Sequence, residues 1–214
     1  PRAPNMKKLG IFVAHPYCSV QSINGIIQSL RPKYAFEVFT KYGVEPSFFE
    51  SVDGLVFAGG LGDSNSFYHL MAEHDSSVRH FVNSGGKYIG VCMGGYWAGS
   101  HYFDILQGCD AVQYIKQPNT DTRRPHAKNL NVMWNGSPET MFFYDGFAVT
   151  PGDYYTHATY MNGDPMAIIQ GNVGIVGCHP EATEYWYDCY SWMQGKFVNK
   201  QHLLLEFVNK VMGC

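Results

Sequence analysis

Over the first 101 residues, short apolar runs bounded by glycine or proline alternate with segments whose apolar residues recur every three or four positions. This alternation is the strongest constraint on the fold, because strands separated by helices pair in parallel and need helices on both faces of the sheet. Residues 8–14 read as a buried strand, followed by Val20, Ile23, Ile26, Ile27 and Leu30 at helical spacing within 19–30. Residues 34–40 alternate as a strand does, and 54–58 form a short apolar strand that ends at Gly59-Gly60. Residues 67–82 read as a helix closed by Gly85-Gly86, and 87–91 as a fourth strand.

Beyond residue 101 the character changes. Pro118, Pro125, Pro138 and Pro151 interrupt a stretch in which 131–134, 141–144 and 155–160 are short antiparallel strand candidates, rich in aromatic and β-branched residues. Residues 165–170 and 173–178, joined by Gly171-Asn172, read as a hairpin, and 203–212 as a C-terminal helix. The pattern predicts one α/β domain over residues 1–214, with a mostly parallel central sheet and an antiparallel, irregular second half. Residues 1–5 read as a tag remnant or an unordered start.

Composition excludes several classes. Only 15% of the residues are charged, the net charge is −3, and no basic run exceeds the pairs Lys7-Lys8 and Arg123-Arg124, which argues against a nucleic-acid partner. No apolar stretch approaches the roughly 20 residues of a membrane span, so a cytoplasmic protein is expected. None of the six cysteines forms a C-x-x-C pair. His69, His74 and His80 fall on one predicted helix but share no face, so no metal site is expected. Nor do the glycine-rich segments match a phosphate loop or a dinucleotide fingerprint, and no cofactor is inferred.

Three segments carry chemistry. Gly90-Val91-Cys92-Met93-Gly94-Gly95 lies between an apolar strand and a predicted helix, the pattern of a nucleophile elbow, in which glycines let the chain turn sharply and present the central side chain. A helix N-terminus at Cys92 would favour the thiolate. Read alone, the segment fits a buried cysteine at a glycine-rich strand end equally well. In Cys178-His179-Pro180-Glu181, the Glu can receive the second ring N–H of the His across a proline-stiffened turn, which leaves the His free to act as a base. Phe57-Ala58-Gly59-Gly60-Leu61-Gly62-Asp63 brings bare backbone N–H groups to the carboxyl edge of the sheet, and the N–H groups of Gly60 and Met93 are the candidates for an oxyanion hole. Leu61, Tyr96 and Tyr185 are expected to wall a substrate pocket, with Trp186 beside Tyr185. His15 and Cys18, after the first strand, are further candidates to approach it.

In order and spacing, the glycine-rich segment, the elbow and His179-Pro180-Glu181 resemble class I glutamine amidotransferase domains. More narrowly, residues 85–96 resemble the amidotransferase-like N-terminal domain of biotin-protein ligases and its stand-alone relatives. The resemblance runs from about residue 8 to about residue 187. It implies a flavodoxin-like three-layer sandwich, with Cys92, His179 and Glu181 at the positions of the family triad. Glutamine-using members carry Gln four residues after the cysteine, where this chain has Tyr96. No Gly-Arg-Gly motif or lysine-bearing nucleotide loop of a biotin ligase is present, so biotin transfer by this chain is not expected.

Two functional classes follow. The first is a cysteine-dependent amidohydrolase acting on a small amide or related carbonyl through a thioester. The second is a catalytically silent module that binds a metabolite or a partner protein. A partner protein and a homodimer both stay open.

Overall fold

A computed structural model of the chain describes residues 6–61 and 63–214. The readings given above for residues 1–5 and for Gly62 lie outside the described residues. In chain order the elements are β1 (Lys8–Phe12), α1 (Val20–Leu30), β2 (Ala35–Phe39), α2 (Pro46–Ser51), β3 (Gly54–Phe57), α3 (Phe67–Leu70), α4 (Asp75–Asn83), β4 (Lys87–Val91), α5 (Met93–Tyr96), β5 (Ala111–Gln113), β6 (Lys128–Trp134), β7 (Ser137–Phe143), β8 (Phe147–Val149), β9 (Tyr155–Tyr160), β10 (Pro165–Gln170), β11 (Val173–Val176), α6 (Glu184–Asp188) and α7 (Gln201–Met212).

The main sheet has the order β2-β1-β3-β4-β11-β10-β9-β6-β7. Its first five strands pair in parallel, and the rest continue it in antiparallel fashion. The hairpin expected at 165–178 therefore has a second role, since β11 turns back to become the fifth parallel strand, in register Val91↔Val176 with β4. The parallel body has the flavodoxin-like order, whose switch point lies between β1 and β3, where ligands bind beyond the carboxyl ends of the strands. β5 and β8 form a separate two-stranded sheet that the sequence reading did not include.

The faces follow from the pleat. A Cβ on Gly174 of β11 would meet Val211 of α7, which puts Gly174 and its partner Ile89 on the side of α7, and α7 packs against α1 there. Gly90 faces the other way and would meet Gly94 of α5 at 2.3 Å. On that second face Phe12, Phe57, Tyr88, Trp97 and Phe103 pack in a buried aromatic cluster, each ring within 6.3 Å of a neighbour. Full burial of one such Phe stabilises by about 1.5–3 kcal/mol.

Two helical expectations change. The helix read over 67–82 divides into α3, a 3₁₀ turn at Ala72–His74, and α4, because Met71 leaves helical geometry at φ −131°. The apolar positions Phe67, Met71, Val78 and Val82 all remain buried, so the period reported the face correctly but not its continuity. The helix after Cys92 is a single turn, Met93–Tyr96, which reduces the dipole contribution expected there.

Close approach between α5 and the sheet depends on glycine. A Cβ at Gly94 would lie 1.9 Å from the carbonyl oxygen of Phe57, whereas one at Gly43 would meet nothing within 4 Å. Gly94→Ala is expected to destabilise the fold by about 3 kcal/mol, and Gly43→Ala by less than about 0.5 kcal/mol, in urea denaturation.

Candidate active site

Cys92 is the residue directly after β4, and His179 follows β11 by three residues; Cys92 N–H donates to the carbonyl of Val176 at 2.8 Å. Parallel pairing thus carries both residues to the same sheet edge although 87 positions separate them. Cys92 has φ 52° and ψ −109°. The other non-glycine residues with positive φ among those described are Asp104, Asn119, Asn135 and Asp145, types that tolerate the left-handed region. Cys92 is neither of these types, and its ψ lies far from the left-handed helical value. Conformations of this kind cost on the order of 1–3 kcal/mol.

His179 is buried between Phe142 and Trp186, whose rings lie 6.0 and 5.1 Å away. Its backbone N–H donates to Phe142, which ties the loop after β11 to β7. Nδ1 lies 2.9 Å from Oε2 of Glu181, and the ring interacts with the Cys92 side chain. Burial depresses the basicity of His179, but the Glu181 carboxylate and the Cys92 sulfur outweigh it and push the pKa up to about 10.

Glu181 is fully buried. An ionised carboxylate there carries a desolvation penalty of several kcal/mol unless it is paired and hydrogen-bonded. Besides His179, Oε2 accepts from the Ser22 hydroxyl at 2.7 Å, and Ser22 Oγ in turn accepts the backbone N–H of Gly59 at 2.9 Å. The sequence reading missed Ser22. Its signal was present, because the buried stripe of α1 places Ser22, Gly25 and Ser29 among isoleucines, small residues where large ones would ordinarily fill the core. Gly25 explains the choice, since a Cβ there would lie 2.5 Å from the Glu181 carbonyl. Ser22 is a positioning residue for Glu181.

The glycine-rich segment after β3 meets the chain after β1. Ser19 N–H donates to Gly59 and Leu61 N–H to Tyr17, a pattern that turns the N–H of Gly60 away from its bridge partner Cys18. A Cβ on Gly60 would collide with the Met93 side chain, whose sulfur lies 2.1 Å from that position, and both residues border one cleft. The Met93 N–H belongs to the first turn of α5, whose donors have no partner within the helix.

These residues line a cleft of about 870 Å³. Gly60, Leu61, Cys92, Met93, Tyr96, His179, Tyr185 and Trp186 all border it, and Glu181 lies behind His179. His15 and Cys18 do not reach it; Ser19, Gln21 and Ser22 from the same segment do. The Cys92 thiol lies 3.7 Å from the Tyr144 carbonyl oxygen, and the Tyr96 hydroxyl donates to the Asp145 carbonyl at 3.0 Å. Burial pushes the thiol of Cys18 up to about 11 and raises those of Cys178 and Cys109. Among the described residues, no three His, Cys, Asp or Glu side chains are placed to hold a metal ion, and no helix is long and apolar enough to cross a membrane.

The parallel body with its antiparallel extension is a fold shared with solved glutamine amidotransferase structures. Within it, residues 14–112 match the family described as biotin-protein ligase, N terminal. Among solved structures, the chain is similar to PurLQS from Thermotoga maritima, at 13% identity and TM-score 0.66, over 96% of this chain and 100% of that one. A glutamine amidotransferase from Thermotoga maritima is similar at 10% identity and TM-score 0.66, over 98% and 100%. The exo-beta-1,4-mannosidase Op5Man5 from Opitutaceae bacterium strain TAV5 is similar at 12% identity and TM-score 0.56, over 88% of this chain but 34% of that one. No curated protein sequence matches the chain. The fold alone therefore does not fix the reaction.

Two outcomes test the site's energetics. Because the folded-state pKa of His179 lies above its unfolded value, the His179–Glu181 pair contributes fully below about pH 6.5, and the contribution is lost as pH rises toward 10. Glu181→Gln is therefore expected to cost about 3–5 kcal/mol at pH 6 and progressively less up to pH 10 in urea denaturation. For the elbow, Cys92→Gly relieves the strain that Cys92→Ala retains, so the Gly variant should be the more stable of the two by about 1 kcal/mol.

Proposed function

We propose that the protein is a cysteine-dependent amidohydrolase that cleaves a small amide through a thioester. The observation that carries this reading is the strained backbone at Cys92 beside a His179 whose far nitrogen is held by a buried, Ser22-bonded carboxylate. A cysteine present for packing alone gains nothing from such a conformation.

In the proposed reaction the Cys92 sulfur attacks the amide carbonyl carbon and forms a C–S bond. The oxygen becomes an oxyanion that accepts from the N–H groups of Gly60 and Met93. Protonated His179 delivers its Nε2 proton to the departing nitrogen, the C–N bond breaks, and the amine leaves. His179 then takes a proton from water, whose oxygen attacks the thioester; the acid departs and the thiol is restored. Glu181 holds Nδ1 throughout and fixes the ring.

Tyr96 favours a second reading, a non-catalytic binding module. Where the resembling glutamine-using domains carry Gln, its hydroxyl is committed to the Asp145 carbonyl. Alkylation separates the two. Under the hydrolase reading, iodoacetamide at pH 7 modifies Cys92 at least about tenfold faster than Cys109, whose thiol burial holds protonated, as followed by peptide mass mapping. Cys92→Ala then abolishes the fast phase while the chain stays folded. Equal rates at Cys92 and Cys109 would establish the binding module instead.

A further inference from the structure

Apart from His179 of the candidate catalytic pair, the charged side chains on the cleft are acidic. Asp63 and Asp145 line it, and among the described residues no lysine or arginine does. Asp145 directly follows Tyr144, whose carbonyl oxygen lies 3.7 Å from the Cys92 sulfur, and both residues line the cleft. Gln113, which also lines the cleft, holds that carboxylate, donating from Nε2 at 3.1 Å to each oxygen. A carboxylate offers about four acceptor sites, so capacity for another donor remains. The residue is fixed rather than swinging, with φ at 50° and its carbonyl bonded to Tyr96. The basic group that acts on it is Lys116, exposed and outside the cleft.

The remaining walls reinforce this sign. Tyr96, Tyr102, Tyr144, Tyr185, Trp186 and Tyr190 border the cleft, and aromatic faces attract cations through their quadrupole. Away from His179, an anionic recognition group would find carboxylates and ring faces, with no lysine or arginine among the described residues to meet it. Free glutamine, which bears a carboxylate beside its ammonium, is poorly served by such a lining.

We infer that the cleft takes amides carrying an ammonium or other cationic group close to the scissile bond, recognised by Asp145 and the aromatic walls, and that it rejects anionic ones. The inference rests on the amidohydrolase reading for the reaction itself and adds the substrate class to it.

Three methanethiosulfonates test it: the neutral methyl reagent, the cationic 2-(trimethylammonium)ethyl reagent and the anionic 2-sulfonatoethyl reagent. In each case the thiolate attacks the thiosulfonate sulfur, forms a mixed disulfide and releases methanesulfinate. Rates at Cys92 are read by quenching and peptide mass mapping, each divided by the rate with 2-mercaptoethanol in the same buffer. The normalised cationic-to-anionic ratio is expected to be about tenfold or more at Cys92 in low salt, and to shrink as salt rises. Asp145→Asn should bring it toward one, and Asn tolerates the left-handed backbone at this position. Asp63→Asn, which retains an acceptor for the Asn65 N–H, provides a second variant with the same expected direction. A ratio at or below one, or one that neither variant moves, overturns the inference while leaving the hydrolase reading standing. Failure of the neutral reagent to modify Cys92 in the folded protein overturns the hydrolase reading, and the inference falls with it.

Discussion

The parallel pairing of β4 with β11 is what the candidate site depends on. Register Val91↔Val176 delivers Cys92 and His179 to one edge, and the Cys92 N–H to Val176 bond ties the elbow to the neighbouring strand. Everything else in the site adjusts these two side chains. β3 alongside supplies Gly59 and Gly60, α1 supplies Ser22, and the turn after His179 supplies Glu181. A shift of β11 by one residue would send His179 to the opposite face, so the hydrophobic pattern of the hairpin indirectly specifies the chemistry.

The buried carboxylate shows how tightly the elements are coupled. Glu181 is desolvated and acquires its partners from a helix some 160 positions earlier, through Ser22, and from its own turn, through His179. Gly25 lets α1 approach closely enough for the first contact, and Gly59 both donates to Ser22 and leaves room for the His179 ring, whose Cε1 would lie 2.8 Å from a Cβ there. Small residues on α1 and after β3 thus have one common purpose, to let polar groups meet where a larger core side chain would keep them apart.

Much of this was legible in the sequence for identifiable reasons. β4, β9 and β10 fall on the residues expected, because their apolar runs are bounded by glycine or turn residues that define both ends. The positions of Cys92, His179 and Glu181 stood out because glycines flank Cys92 and a proline fixes the spacing of His179 and Glu181. Ser22 was not read, because the small residues Ser22, Gly25 and Ser29 on the buried face of α1 signal a close approach without naming the distant partner. Nor were β5 and β8: three-residue strands lack a period, and their pairing is set by tertiary contact. The cleft's charge was equally hidden, because Asp63 and Asp145 lie in different segments and only the fold places them on one cavity.

The order of the chain also sets when the Cys92 thiol can meet its neighbours. Cys92 leaves the ribosome long before His179, and 87 residues of synthesis at ordinary rates take roughly 4–17 s. During that interval β4 lacks its neighbour β11, and the sulfur has neither a base nor the strand that holds its backbone in the strained conformation. In the nascent chain Cys92 is therefore without these neighbours, and its meeting with His179 is one of the last events of folding.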